Sequence, residues 1–285
     1  MLRLHDDQAA GLRRLFSRSA PSVVAIVGGH AASGATRIAC ALAQELAARG
    51  MTTTLVDEHR SRRNAASVLG VRFRYDMWQV VNGDVPLARA AVAVSDRLKF
   101  ISAARLAQNR EYLDETQRSN LEHSWNRLNA DSEVVVIDAC AHAGGKFSPL
   151  AAKAGVIAVV TGSGTAAVTG SYLMLKSIAQ AQRSVRLGIV VNRAGDAQQA
   201  ASIGENMRGL FRQQLGRSVE PFGSCPVVSE WRTGMMATGN TGVELSGLLS
   251  TLNVSFRHDR CIANDKGNFV GTVADGFSCA AAVAT

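Results

Sequence analysis

Residues 22–57 constrain the fold more than any other stretch. Ser22 to Val27 holds Val23, Val24, Ala25, Ile26 and Val27 in succession. An apolar run without polar alternation is a strand buried on both faces. A loop of small residues follows from Gly28 to Ala35, then an Ala- and Leu-rich helix from Thr36 to Arg49 closed by Gly50. A second strand, Thr52 to Val56, ends at Asp57. Strand, glycine loop, helix and strand in this order form a βαβ unit. The pattern returns later in the chain. Val134 to Ile137 with Asp138 at its end, Val156 to Thr161, and Leu187 to Val191 ending at Asn192 read as buried strands. Helices over 166–181 and 198–215 alternate with them. The fold class is therefore α/β, a doubly wound, mostly parallel sheet.

The middle is less regular, with a helix expected over Pro86 to Val94, a strand over Leu98 to Ile101 and a polar-faced helix over Glu111 to Leu128. Three segments result: an N-terminal helix and linker over 1–20, one α/β domain over 21–252, and a tail over 253–285 without a clear period. With 47% apolar and 19% charged residues in 285, the chain buries a core and is not a disordered polymer. Cys40, Cys140, Cys225, Cys261 and Cys279 are scattered and form no C-x-x-C pair, so neither a disulfide framework nor a zinc site is indicated. A net charge of +8 suits nucleic acid, acidic protein or anionic lipid and does not choose among them. No apolar run crosses a bilayer, and no apolar stretch follows Arg13, Arg14 and Arg18 as a signal peptide requires, so a cytoplasmic chain is expected.

Open parallel sheets bind ligands at the carboxyl ends of their strands. Those ends carry the Gly28–Thr36 loop, Asp57, Asp138 and Asn192. A glycine loop entering a helix offers backbone N–H groups and a positive helix end to phosphate. Thr36 begins that helix, where a hydroxyl can hold Mg²⁺, and Asp138 fits an acid that orders magnesium-bound water.

On these residues the chain resembles the MinD/ParA group of P-loop ATPases. VVAIVGGHAASGATRIACALAQELAARGMTTTLVDEH looks like the group's opening, and VVVIDACAHAGG like its magnesium and switch segment. AGVIAVVTGSGTAAVTGSYLMLK and LGIVVNRAG resemble its later strands and helices. DQAAGLRRLF at the start is similar to the DQAxGLR signature of the flagellar-number regulators FlhG (FleN). The resemblance implies ATP or ADP with Mg²⁺ as cofactors. It places nucleotide contacts at Gly29, His30, Ser33, Gly34, Ala35, Thr36 and, for adenine, Asn192. It places the metal at Thr36 and Asp138, and catalytic acids, if the site is active, at Asp57 and Asp138. Asn192 reads equally as a strand-terminating turn residue.

The departures are specific. Where the group has KGGxGKT, His30 and Ala35 replace both lysines. Where it has D-x-D, the chain has Asp57-Glu58-His59, so the second, water-positioning acid is a histidine. Losing one charge-assisted bond costs roughly 1.5–3 kcal/mol of binding, while a positioned cation in phosphoryl transfer contributes roughly a thousandfold or more. A degenerate site with weak or lost hydrolysis is expected, with Lys146, Arg37 and His30 as candidate substitute cations.

In the FlhG branch the leading helix docks on the GTPase FlhF. Carried over, Asp7, Gln8, Ala9, Gly11, Leu12, Arg13, Leu15 and Phe16 form the docking element, Gln8 orienting the attacking water in trans and Leu12, Leu15 and Phe16 anchoring it. Flagellar switch or regulator proteins, a homodimer, and a peripheral place at the inner membrane or cell pole are further implied. The tail has Arg257 and Arg260 without an apolar stripe, which weakens the case for membrane contact. His59 to Arg63 is a basic run, but base-contact and stacking signals are missing, so no specific nucleic-acid partner is expected. The competing functions are an active ATPase with a substitute cation and a ParA-like DNA partitioning protein.

Overall fold

The computed structural model describes residues 22–141, 145–226 and 244–252. Eight strands form one sheet: β1 (Ser22–Gly28), β2 (Thr53–Asp57), β3 (Val92–Ala93), β4 (Leu98–Ser102), β5 (Val134–Ala139), β6 (Val156–Thr161), β7 (Arg186–Ala194) and β8 (Glu220–Pro226). Their order across the sheet is β3-β4-β2-β5-β1-β6-β7-β8. Every pairing is parallel except β3 with β4. The doubly wound, mostly parallel sheet is the one expected.

Strand geometry turns successive side chains to opposite faces, and β1 shows the result. Val24 and Ile26 enter one core with Leu42, Leu46, Leu55, Val136 and Phe222. Ala25 and Val27 enter the other with Ile137, Ile157, Leu175, Met207 and Phe211. Each buried Val, Ile, Leu or Phe contributes roughly 1.5–3 kcal/mol, so a strand feeding both cores is anchored twice. Helix α1 (Ala35–Ala48) covers the first core. Of the later helices, α6 (Glu115–Asp131), α7 (Thr165–Ala181) and α8 (Ala197–Leu215) cover the second.

Several boundaries differ from the sequence reading. The helix expected over Pro86 to Val94 is one turn, α4 (Leu87–Ala90), and the chain then extends as β3. The polar helix starts at Glu115, where Asp114 and Gln117 form a reciprocal capping box. Short helices α2 (Ala65–Leu69), α3 (Met77–Val81), α5 (Ala104–Gln108) and α9 (Ser246–Thr251) had no periodic signal. Asp76 caps α3 and pairs with Arg105 at 2.6 Å, a local polar device that hydrophobic spacing does not reveal. Strand β8 was also missed, since Pro221 and Gly223 break its pattern. Asp138 and Asn192 lie inside β5 and β7 rather than after them. The docking residues Asp7 to Phe16 and the tail over 253–285 lie outside the described residues.

Candidate functional site

Because β1 runs between β5 and β6, its following loop opens at the sheet centre. Gly29 N–H donates to the Val160 carbonyl at 2.9 Å, and Ser33 N–H turns back to the His30 carbonyl at 3.2 Å. Gly34 has φ of 90° and caps α1 without a side chain. A Cβ there would meet the Asn192 amide nitrogen. That amide donates to the Ser33 carbonyl at 2.7 Å, so Asn192 braces the loop from behind. Gly29 lies against α7; a Cβ on it would come within 2.8 Å of the Ser171 Cα. Two close backbone approaches thus fix the loop's shape.

The loop borders a cavity of about 760 Å³, within the size range of ligand pockets. Gly29, His30, Ser33, Gly34, Ala35 and Thr36 all line it. Asn192 does not; its amide nitrogen is committed to the loop. His30 turns inward, with Nδ1 at 2.7 Å from the Ala31 carbonyl and its ring beside Gly162. Of the substitute cations, Arg37 lines the cavity, whereas Lys146 is exposed and outside the lining. Arg63 and Arg193 line it too. Sequence reasoning overlooked Arg193, which follows Asn192 directly, has φ of 58° and donates to the Ala32 carbonyl at 3.4 Å.

The far wall gathers the ends of β2 and β5. Both Asp57 oxygens accept backbone N–H groups, from His59 at 2.8 Å and Ala65 at 2.9 Å. Burial, then the nearby Asp138 charge, pushes Asp57 up to about 6. Glu58 is buried and accepts from the Ser148 hydroxyl and from Cys140 N–H at 3.0 Å. Burial pushes it up to about 7. His59 places Nε2 at 3.3 Å from an Asp138 oxygen and Nδ1 at 3.2 Å from the Cys140 sulfur. Burial acts to lower the His59 pKa, but the contacts with Asp138 and Cys140 prevail and push it up to about 11. The roles of Glu58, Ser148 and Cys140 in this wall had no motif to announce them.

Asp138 is fully buried and neither oxygen makes a hydrogen bond among the described residues. Such a carboxylate needs a cation, and the His59 imidazolium supplies it. Magnesium needs near-octahedral oxygen ligands. Here each Asp57 oxygen already accepts a backbone N–H, a histidine stands in place of the second acid, and its imidazole faces Asp138. In this arrangement the residues do not fit the magnesium ion expected between Thr36 and Asp138.

No family model matches the chain, and no curated protein is similar to it by sequence. Solved structures are similar in fold. MinD in the MinC:MinD cell division protein complex of Aquifex aeolicus superposes with a TM-score of 0.56 at 19% identity, over 73% of this chain and 82% of that one. A ParA family ATPase from Chlorobium tepidum gives 0.57 at 15% identity, over 83% and 93%. Cobyrinic acid a,c-diamide synthase from Mycobacterium smegmatis, solved with an ATP analog and magnesium, gives 0.55 at 18% identity, over 76% and 91%. The fold is the MinD/ParA type of P-loop architecture.

Proposed function

We propose that this chain, built on the MinD/ParA fold, is a regulatory protein that binds a nucleoside triphosphate or diphosphate and hydrolyses it weakly or not at all. The observation that carries this reading is a phosphate loop held in shape from behind while its lysine positions are His30 and Ala35. Loop backbone N–H groups other than those of Gly29, Ser33 and Ala35, which are bonded within the protein, hold phosphate together with the helix end. Arg37, Arg63 and Arg193 on the cavity wall supply positive charge. Hydrolysis additionally needs an oriented water, and His59 stands where the MinD/ParA group has its water-positioning acid. A magnesium ion, which would neutralise phosphate charge in an intact site, has no fitting ligand set at the switch corner.

The regulatory role follows the FlhG branch: control of flagellar number or placement, with residues 7–16 docking on an FlhF-type GTPase and Gln8 completing its hydrolytic site. The DQAAGLR run supports this assignment. Equilibrium binding of ATP and phosphate release, measured on one preparation, test the first part. Saturable binding with negligible release is the outcome expected; release at the rate of an intact P-loop enzyme would refute it. The GTPase rate of FlhF with the full chain, wild type against Gln8→Ala, tests the second. Absence of stimulation by the wild type removes the docking role.

A ParA-like role on DNA is the second reading, favoured by Arg60, Arg62 and Arg63, all exposed, with Arg63 on the cavity wall. It requires DNA binding that weakens steeply with salt.

A further inference from the structure

The residue expected to read adenine is engaged elsewhere. Asn192 is 7% exposed, lies outside the cavity lining, and donates its amide nitrogen to the Ser33 carbonyl at 2.7 Å. A Cβ on Gly34 would collide with that nitrogen, so the glycine is what lets the amide sit behind the loop. A carboxamide reads adenine by donating to N7 and accepting from N6 together. An Asn seated behind the loop does not present that pair to a base in the cavity.

The wall in front has a different character. Arg37, Arg63 and Arg193 line it, and among the described residues no Asp, Glu, Asn or Gln does. His59 also lines it, but its ring faces Asp138. The hydroxyls of Ser61 and Ser67 both donate and accept, so they fit any base edge and favour none. Val68 and Met174 are the larger apolar side chains on the lining. Contact with the face of a base adds affinity without selecting among bases.

We propose that the cavity recognises the polyphosphate chain and not the base, so that its ligand class is a metal-free polyphosphate anion, with or without a nucleoside attached. The assignment rests on the reading that nucleotide binds here, and it names what is recognised. Charge neutralisation that a metal supplies in an intact site comes here from guanidinium groups, whose bonds to phosphate oxygens are charge-assisted and paired. The same change of design removes magnesium from the switch corner and the adenine reader from the wall.

A bidentate base contact separates right base from wrong by roughly fivefold to a hundredfold, and a site without one holds the difference below about threefold.

The test titrates the full chain calorimetrically with ATP, GTP, CTP and inorganic tripolyphosphate, each free of magnesium and at one ionic strength, because salt screens exposed charges. The three nucleotides are expected to agree within about threefold, and tripolyphosphate to bind within about tenfold of ATP. Adenosine in large excess is expected not to displace ATP. Arg63→Ala and Arg193→Ala, confirmed folded by circular dichroism, are expected to weaken all four ligands by one common factor, since a guanidinium on phosphate is blind to the base. A preference for one nucleotide beyond about threefold, or displacement of ATP by adenosine, overturns the proposal while nucleotide binding stands. Tripolyphosphate affinity left unchanged in both arginine variants also overturns it, because the anion then sits elsewhere. Tripolyphosphate bound with every nucleotide rejected keeps the polyphosphate site and refutes nucleotide binding. Rejection of all four ligands removes both. Where an arginine variant does not fold, the comparison among ligands in the wild type decides alone.

Discussion

Gly34 and Asn192 meet at one contact, and a double-mutant cycle measures what it contributes. Asn192→Ala removes the 2.7 Å bond and strands the Ser33 carbonyl of a residue only 5% exposed. Loss of a partner for a buried acceptor costs about 2 kcal/mol. Gly34→Ala imposes a Cβ at φ of 90°, a left-handed backbone that costs roughly 1–2 kcal/mol for a non-glycine residue. The new methyl also expels the Asn192 amide, so about 2 kcal/mol of bond loss is added. The single changes are therefore expected at about 2 and about 3–4 kcal/mol, but the double at about 3–4, because the shared bond is lost only once. Melting temperatures and urea midpoints of the four proteins supply the cycle, each kcal/mol moving the melting point by roughly 2–4 °C. Additive effects, agreeing within about 0.5 kcal/mol, would mean that Asn192 does not brace the loop.

Three further outcomes follow from the site. Ala35→Lys returns a cation to the phosphate cavity and should tighten ATP binding by about 1.5–3 kcal/mol, a factor of roughly ten to a hundred; an unchanged affinity in a calorimetric titration would show that phosphate does not sit on this loop. Glu58, raised from 4.5 to about 7, binds more protons folded than unfolded, so its contribution to stability falls as pH rises through that interval. Glu58→Gln should therefore gain on the wild type from the acid end of the interval to neutrality, and parallel stability curves in urea would contradict the burial of this carboxylate. Chelating magnesium should change nucleotide affinity by less than about threefold, and a loss beyond about tenfold, or 1.4 kcal/mol, would mean that the switch corner takes up a metal after all.

The parallel sheet was legible because strands buried on both faces leave unbroken apolar runs, as in Val134 to Ile137. The tight loop after β1 was legible because its close approaches, at Gly29 and Gly34, fall on residues without a side chain. Strand β8 was not, because Pro221 and Gly223 interrupt it and its place depends on pairing with β7. The far wall of the site was also hidden. Glu58 and Cys140 lie 82 positions apart, and only the pairing of β2 with β5 brings them together. His59 was noticed as a lost acid, but its role as the cation facing Asp138 needed the sheet register that aligns Asp57 with Asp138.

The Glu58 carboxylate has a mechanical consequence. One of its oxygens is held by Ser148 and the other by the Cys140 backbone, so a single side chain rivets the end of β2 to two points of the chain beyond β5. Neither edge of the central crevice can shift alone without stripping a buried anion of a donor. A displacement of either edge is thus carried to the other, and the crevice answers as one rigid jaw rather than two independent flaps.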